Sequence, residues 1–248
     1  NTMGSFVEES VIDSKLKGLW QQITPFDIDK DGDMDYLLGN WGKNSKFKAT
    51  KKHPLRMYYA DFDGNGSTET ILCNYKNGSY YPLLGLDELA SQIVSLRKKF
   101  TTYKSMAGKS IDEIFEKSIL NKATILEVHT LSSGYLKNEN NRFEFVPFIN
   151  ELQVSPISSF LEYDFDFDGE NEILAAGNYF GVTPFHGRFD SFPGALIIDE
   201  KQVILGNKIG LDFSLKAVRK LDIIKVNNKP YVLATINNDK AQVYKLIH

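Results

Sequence analysis

With 248 residues, 42% of them hydrophobic and 25% charged, the chain has ordinary globular composition and enough length to bury a core without staples, which excludes a disordered polymer. Its 29 basic and 32 acidic residues leave a formal net charge of −3, so a general nucleic-acid binder is not expected. No apolar run approaches the roughly 20 residues of a membrane span, and the single cysteine, Cys73, excludes an internal disulfide.

In chain order, Asn1–Glu9 holds no basic segment followed by an apolar one, so no signal peptide is expected there. Three short acidic stretches then stand out. They are Asp27-Ile-Asp-Lys-Asp-Gly-Asp-Met-Asp35, Asp61-Phe-Asp-Gly-Asn-Gly-Ser-Thr-Glu69 and Asp164-Phe-Asp-Phe-Asp-Gly-Glu-Asn-Glu172. Each runs into a strand-like segment: Tyr36–Asn40, Thr70–Cys73 and Ile173–Ala176. This is an internal repeat. Its first two copies start 34 residues apart and the next starts 103 residues later, so the second gap contains an insertion.

The insertion reads as helical. Leu86, Leu89, Ala90, Ile93, Leu96 and Phe100 fall on one helical face, with Arg97, Lys98 and Lys99 toward its C-terminal end. Ser110 with Glu113 forms a capping box, and Ile111, Ile114 and Phe115 supply a second apolar face. We therefore expect a helical pair over residues 86–120. Strand-like runs resume at Ala123–Thr130, Arg142–Val146, Gly194–Asp199, Val203–Leu205, Leu221–Val226, Tyr231–Ile236 and Ala241–Ile247. Asn77-Gly78, Asn227-Asn228 and Asn237-Asn238-Asp239 separate several strands as turns. The class is mainly all-β: sandwich, barrel or propeller.

The acidic stretches have the chemistry of calcium loops. Five carboxylates in nine residues (Asp27, Asp29, Asp31, Asp33, Asp35) repel one another unless a cation intervenes. Ca²⁺ accepts six to eight oxygens in tolerant geometry, which a small, water-retaining Mg²⁺ does not. Positions 1, 3 and 5 are Asp27, Asp29, Asp31; Asp61, Asp63, Asn65; and Asp164, Asp166, Asp168. Position 9 is Asp35, Glu69 or Glu172. Position 7 (Asp33, Ser67, Glu170) varies in type, as a backbone-carbonyl ligand permits, and position 6 is always glycine. An EF-hand would need a bidentate Glu at position 12, where Leu38, Leu72 and Ala175 stand. We expect up to three Ca²⁺ sites. One such loop reads equally well as a solvated turn; three in one register do not.

These residues resemble the FG-GAP or VCBS repeat, the calcium loop of integrin α-subunit propellers and of many bacterial secreted proteins. The likeness extends to Leu37–Ser45, Tyr59–Gly66, Gly177–Gly181 and Leu233–Asp239, and covers about Leu19 to His248. It implies a β-propeller of about four blade-sized units. Residues 1–248 would be one propeller-like domain, or part of a larger propeller, with 86–120 inserted. It implies structural calcium, a protein or carbohydrate ligand, and a periplasmic, cell-surface or secreted location. The C-terminal unit, roughly 211–248, carries no acidic loop, and no metal is assigned there.

Other candidates carry less. His53, His129, His186 and His248 form no close pair of the kind a zinc site uses. His186, Arg188 and Asp190 alternate beside aromatics, as in a sugar or carboxylate pocket or simply a loop in which Arg188 pairs with Asp190. Convergence of His186, Arg188 and Tyr179 would favour the alternative reading, a polysaccharide lyase or hydrolase. No Gly-x-Ser-x-Gly elbow or phosphate-binding loop is present. Lys43–Lys52 reads as a solvated basic run and Cys73 as a buried small hydrophobe.

Overall fold

The computed structural model describes residues 4–140 and 142–247; the first residues of the Asn1–Glu9 stretch and His248 lie outside them. Among the described residues the protein is mainly β, with four antiparallel sheets of three or four strands and a short helical insert. It separates into two compact units, one comprising the chain up to Asn44 and from Leu131 onward, the other Ser45–Thr130.

In the larger unit, the first sheet orders Gln22–Pro25, Tyr36–Gly39, Gly134–Glu139 and Arg142–Pro147. Its halves are far apart in sequence because the whole smaller unit is inserted between its second and third strands. The second sheet is an unbroken meander of Ile157–Tyr163, Glu172–Gly177, Ala195–Ile197 and Val203–Leu205. The third comprises Val218–Val226, Lys229–Ile236 and Gln242–Lys245.

The run Glu172-Ile-Leu-Ala-Ala-Gly177 is buried at every residue, which marks a strand covered on both faces. Ile173 and Ala175 join one core with Leu37, Tyr135, Ile157 and Phe160. Leu174 and Ala176 face the opposite way, into a core with Phe213, Val218, Leu221, Val232 and Ala234. Alternation along one strand thus fills two sheet-to-sheet interfaces. Each fully buried Ile, Leu or Phe contributes about 1.5–3 kcal/mol.

In the smaller unit, the sheet orders Ser79–Pro82, Glu69–Lys76, Leu55–Ala60 and Thr124–Val128. Its hairpin turn is Asn77-Gly78, both at positive φ (48° and 90°), as a type I′ turn requires. The expected helical pair is instead five short helices: Leu86–Gln92, Leu96–Lys99, Tyr103–Met106, Ile111–Ile114 and Lys117–Leu120. Ile93 leaves helical geometry at φ −117°, ψ 83°, Thr102 is extended, and Gly108 takes φ 73°. Ile93 interrupts the first helix that apolar spacing suggested, and Phe115, extended at φ −119°, ψ 154°, interrupts the second; Thr102 and Gly108 lie between the two. The apolar face survives the breaks: Leu86, Leu89, Ala90, Ile93, Leu96 and Phe100 are all buried in one cluster with Ile111, Ile114 and Phe115. Glu113 Oε2 accepts the Ser110 N–H at 2.7 Å, one half of the expected capping box. Cys73 is fully buried among these residues, and burial pushes its thiol far above the ordinary range.

A candidate metal centre in each of three acidic loops

Each acidic loop joins two neighbouring antiparallel strands. The flanking pairs Pro25↔Tyr36, Ala60↔Glu69 and Tyr163↔Glu172 close the three hairpins. The loops then fold by one hydrogen-bond scheme. The first aspartate accepts the N–H of the sixth-position glycine: Gly32 to Asp27 at 3.0 Å, Gly66 to Asp61 at 2.9 Å and Gly169 to Asp164 at 3.1 Å. The fifth residue accepts the N–H of the seventh: Asp33 to Asp31 at 3.0 Å, Ser67 to Asn65 at 2.7 Å and Glu170 to Asp168 at 2.8 Å. The ninth-position carboxylate accepts the N–H of the second residue: Ile28 to Asp35 at 3.2 Å, Phe62 to Glu69 at 3.0 Å and Phe165 to Glu172 at 2.9 Å.

Backbone strain repeats as well. Gly32, Gly66 and Gly169 sit at φ 94°, 87° and 99°, a region that favours glycine. The fourth position lies nearer the left-handed helical well, at 60° for Lys30, 76° for Gly64 and 62° for Phe167. That well admits other residues at a cost of about 1–2 kcal/mol.

These turns gather carboxylates. One oxygen each from Asp27, Asp29 and Asp35 lie within 4.8 Å of one another, as do those of Asp61, Asp63 and Glu69, and of Asp164, Asp166 and Glu172. Positions 1, 3 and 9 therefore converge. Asp31 and Asp168 are outside these triads, and with Asn65 they accept the loops' own N–H groups. Asp33 and Glu170 contribute no carboxylate to them. The ninth residues are the deep ones, with Asp35 1%, Glu69 6% and Glu172 4% exposed.

The crowding has electrostatic consequences. Desolvation raises the Asp35 carboxyl above its ordinary value, against the opposing N–H groups of Asn138 and Ile28. Desolvation also raises Glu172, with Asp166, Asp168 and Asp164 adding to it. Asp33 is raised by desolvation and then by Asp31, Asp29 and Asp27. Asp61 is lowered, chiefly by the Gly66 N–H. Asp29 Oδ1, Asp63 Oδ1 and Asp164 Oδ1 are buried with no hydrogen-bond partner. Each belongs to a triad, and Asp33 Oδ1 in the first loop is buried without a partner as well, so every loop holds at least one oxygen left for a cation or water to satisfy. An all-oxygen donor set of this kind suits a hard divalent cation.

Arg188 pairs with Asp190 at 3.6 Å and lies over the Phe180 ring at 4.1 Å. The segment is closed by a bridge between Tyr179 and Phe189. His53 stacks on Tyr75 with ring centroids 3.8 Å apart, and His129 is buried beside Glu127.

Sequence reading passed over one conserved feature of the repeat's geometry. Asn40 and Asn178 directly follow the strand after the loop and Asn74 lies within it, and each precedes an aromatic residue (Trp41, Tyr75, Tyr179). Asn178 Nδ2 donates to the carbonyls of Phe192, Phe213 and Lys216 at 2.9–3.1 Å, while Oδ1 accepts the Phe192 N–H. Asn40 accepts the N–H groups of Leu19 and Trp41 and donates to Ser132 O. Asn74 ties Lys46 O to the Lys48 N–H. The signal was present as an Asn-aromatic pair 13, 13 and 14 residues after each first aspartate. The extra residue in the third copy coincides with the register shift at Ala176/Gly177. Compared with family models, curated proteins and solved structures, the chain matches none of them.

Proposed function

We propose that the protein is a calcium-stabilised, non-enzymatic binding module of FG-GAP/VCBS type. Its sheets act as propeller blades, and its ligand is a protein or glycan at the bacterial cell envelope. The observation that carries this reading is the threefold recurrence of one loop, with the same hydrogen bonds, the same carboxylate triad and one unpartnered buried oxygen per triad. Calcium bound there would neutralise the triad and join the two strands that the loop connects, so binding energy becomes folding energy. The residues that would hold it through side chains are those at positions 1, 3 and 9, with position 5 adjoining.

The blade reading is supported by the middle sheet of the larger unit, whose central strand is buried on both faces between successive sheets. The envelope location rests on the resemblance in the acidic loops and their flanking segments. For the ligand we favour a groove of about 720 Å³ lined by Phe180, Arg188, Leu215, Asn237, Asn238 and Asp239. It offers amide, guanidinium and carboxylate groups beside apolar surface, as a sugar or a peptide requires. Arg188 is already engaged by Asp190 and Phe180, which supports binding over catalysis.

The test is a direct count of bound metal. After chelator treatment and gel filtration in calcium, about three ions per chain are expected on the loop chemistry. No retained calcium would overturn the proposal.

A further inference from the structure

The three loops are alike in their hydrogen bonds but differ in their cationic neighbours. Lys137, on the third strand of the first sheet, places Nζ 2.9 Å from Asp29 Oδ2 and 3.6 Å from Glu139 Oε1. Lys137 and Glu139 are alternate residues of one strand and share a face. The next residue, Asn138, donates its N–H to Asp35 Oδ1 at 2.7 Å, so the strand is fastened to the loop beside the lysine. The other oxygen of Asp29 is buried without a partner. Among the described residues, no ion pair reaches the triad of the second loop or of the third.

We propose that Lys137 is the first loop's built-in counter-cation and sets the affinity of that loop alone. In the metal-free chain the ammonium holds Asp29. A divalent ion that binds Asp29 through its unpartnered Oδ1 meets the repulsion of the ammonium held on Oδ2, and the ammonium is driven toward Glu139. Calcium affinity in oxygen-donor loops follows the ligand charge count. The first loop, with one charge of its triad already answered, therefore binds calcium more weakly than the third. This rests on the calcium reading above and adds to it an ordering of sites.

The experiment is a calorimetric titration of calcium chloride into the chelator-treated full chain, with Lys137→Gln, Lys137→Arg and Asp29→Asn compared. In Lys137→Gln the binding phase that Asp29→Asn abolishes should tighten by up to about fivefold, as removal of an ion pair allows. The other phases should not move, and Lys137→Arg should leave that phase as in the wild type. Asp29→Asn should abolish the same phase that Lys137→Gln tightens. Melting without metal gives a second readout: Lys137→Gln lowers the metal-free midpoint but enlarges the rise that calcium causes. A lysine with a merely structural role would lower both midpoints equally. Unchanged phases in Lys137→Gln, or loss of a different phase in Asp29→Asn, would overturn the role of Lys137 while leaving calcium binding intact. No binding heat and no retained calcium in the wild-type chain would overturn the calcium reading itself, and this proposal with it.

Discussion

Asp35 Oδ1 accepts the backbone N–H of Asn138 at 2.7 Å, while Asp35 Oδ2 accepts that of Ile28 at 3.2 Å. One buried carboxylate thus fastens the end of its own loop to a strand that the chain reaches only after completing the whole inserted unit. The first sheet depends on this residue before any metal is considered.

Replacing Asp35 by Ala should therefore leave two N–H groups without their acceptor, at about 1–3 kcal/mol each if they stay buried. Asp31, equally acidic in sequence, is exposed and accepts the Asp33 N–H of its own loop; Asp31→Ala should cost less than about 1 kcal/mol. Urea unfolding in chelator measures both. Equal losses would show that the ninth position has no special structural role.

The two positive-φ positions in each loop should respond differently. Gly64 has open space around an added Cβ and lies where Lys30 and Phe167 stand in the sister loops. Gly64→Asn should stay within about 0.5 kcal/mol of the parent. Gly66, at φ 87°, also has open space, yet Gly66→Ala should cost about 1–2 kcal/mol through backbone strain alone. Chemical denaturation of the two variants decides it.

Asn178 is 1% exposed and serves three carbonyls and one N–H. Asn178→Ala should cost about 3–5 kcal/mol, because several buried groups lose their partners together. Asn74→Ala, with one donor and one acceptor partner near the surface, should cost about 1 kcal/mol. Comparable losses would place the stabilisation elsewhere.

The Glu113 carboxyl is held below its usual range by the Ser110 N–H and then by its hydroxyl. A depressed folded-state pKa contributes stability that is present above the unfolded value near 4.3 and is lost as pH falls through the lower folded one. The denaturation difference between wild type and Glu113→Ala should therefore shrink on acidification from pH 5 to pH 3. A difference that stays constant over that window would contradict the assignment.

The loops were legible because their chemistry is local. Carboxylate spacing, the sixth-position glycine and the following apolar run all lie within a dozen residues. The turns at Asn77-Gly78 and Asn227-Asn228 were legible for the same reason, and their residues take positive φ. Gly134–Glu139 was not seen as a strand because half of its pattern is polar and its partner, Tyr36–Gly39, lies far upstream. The helices were found by their buried face but joined too generously, because apolar spacing does not register that Ile93 leaves helical geometry or that Phe115 is extended. Lys137 was invisible as a neighbour of Asp29 for a third reason: nothing in local sequence says that the two meet.

The most direct measurement of the central claim is thermal unfolding of the full chain in chelator, then with excess Ca²⁺ or Mg²⁺. Each site held at about 100 times its Kd should add about 2.7 kcal/mol, with roughly 2–4 °C gained per kcal/mol in a chain of this size. The account predicts a clear rise with Ca²⁺ and little with Mg²⁺. An unchanged midpoint with both ions would mean that the acidic loops are ordinary turns held by their own hydrogen bonds.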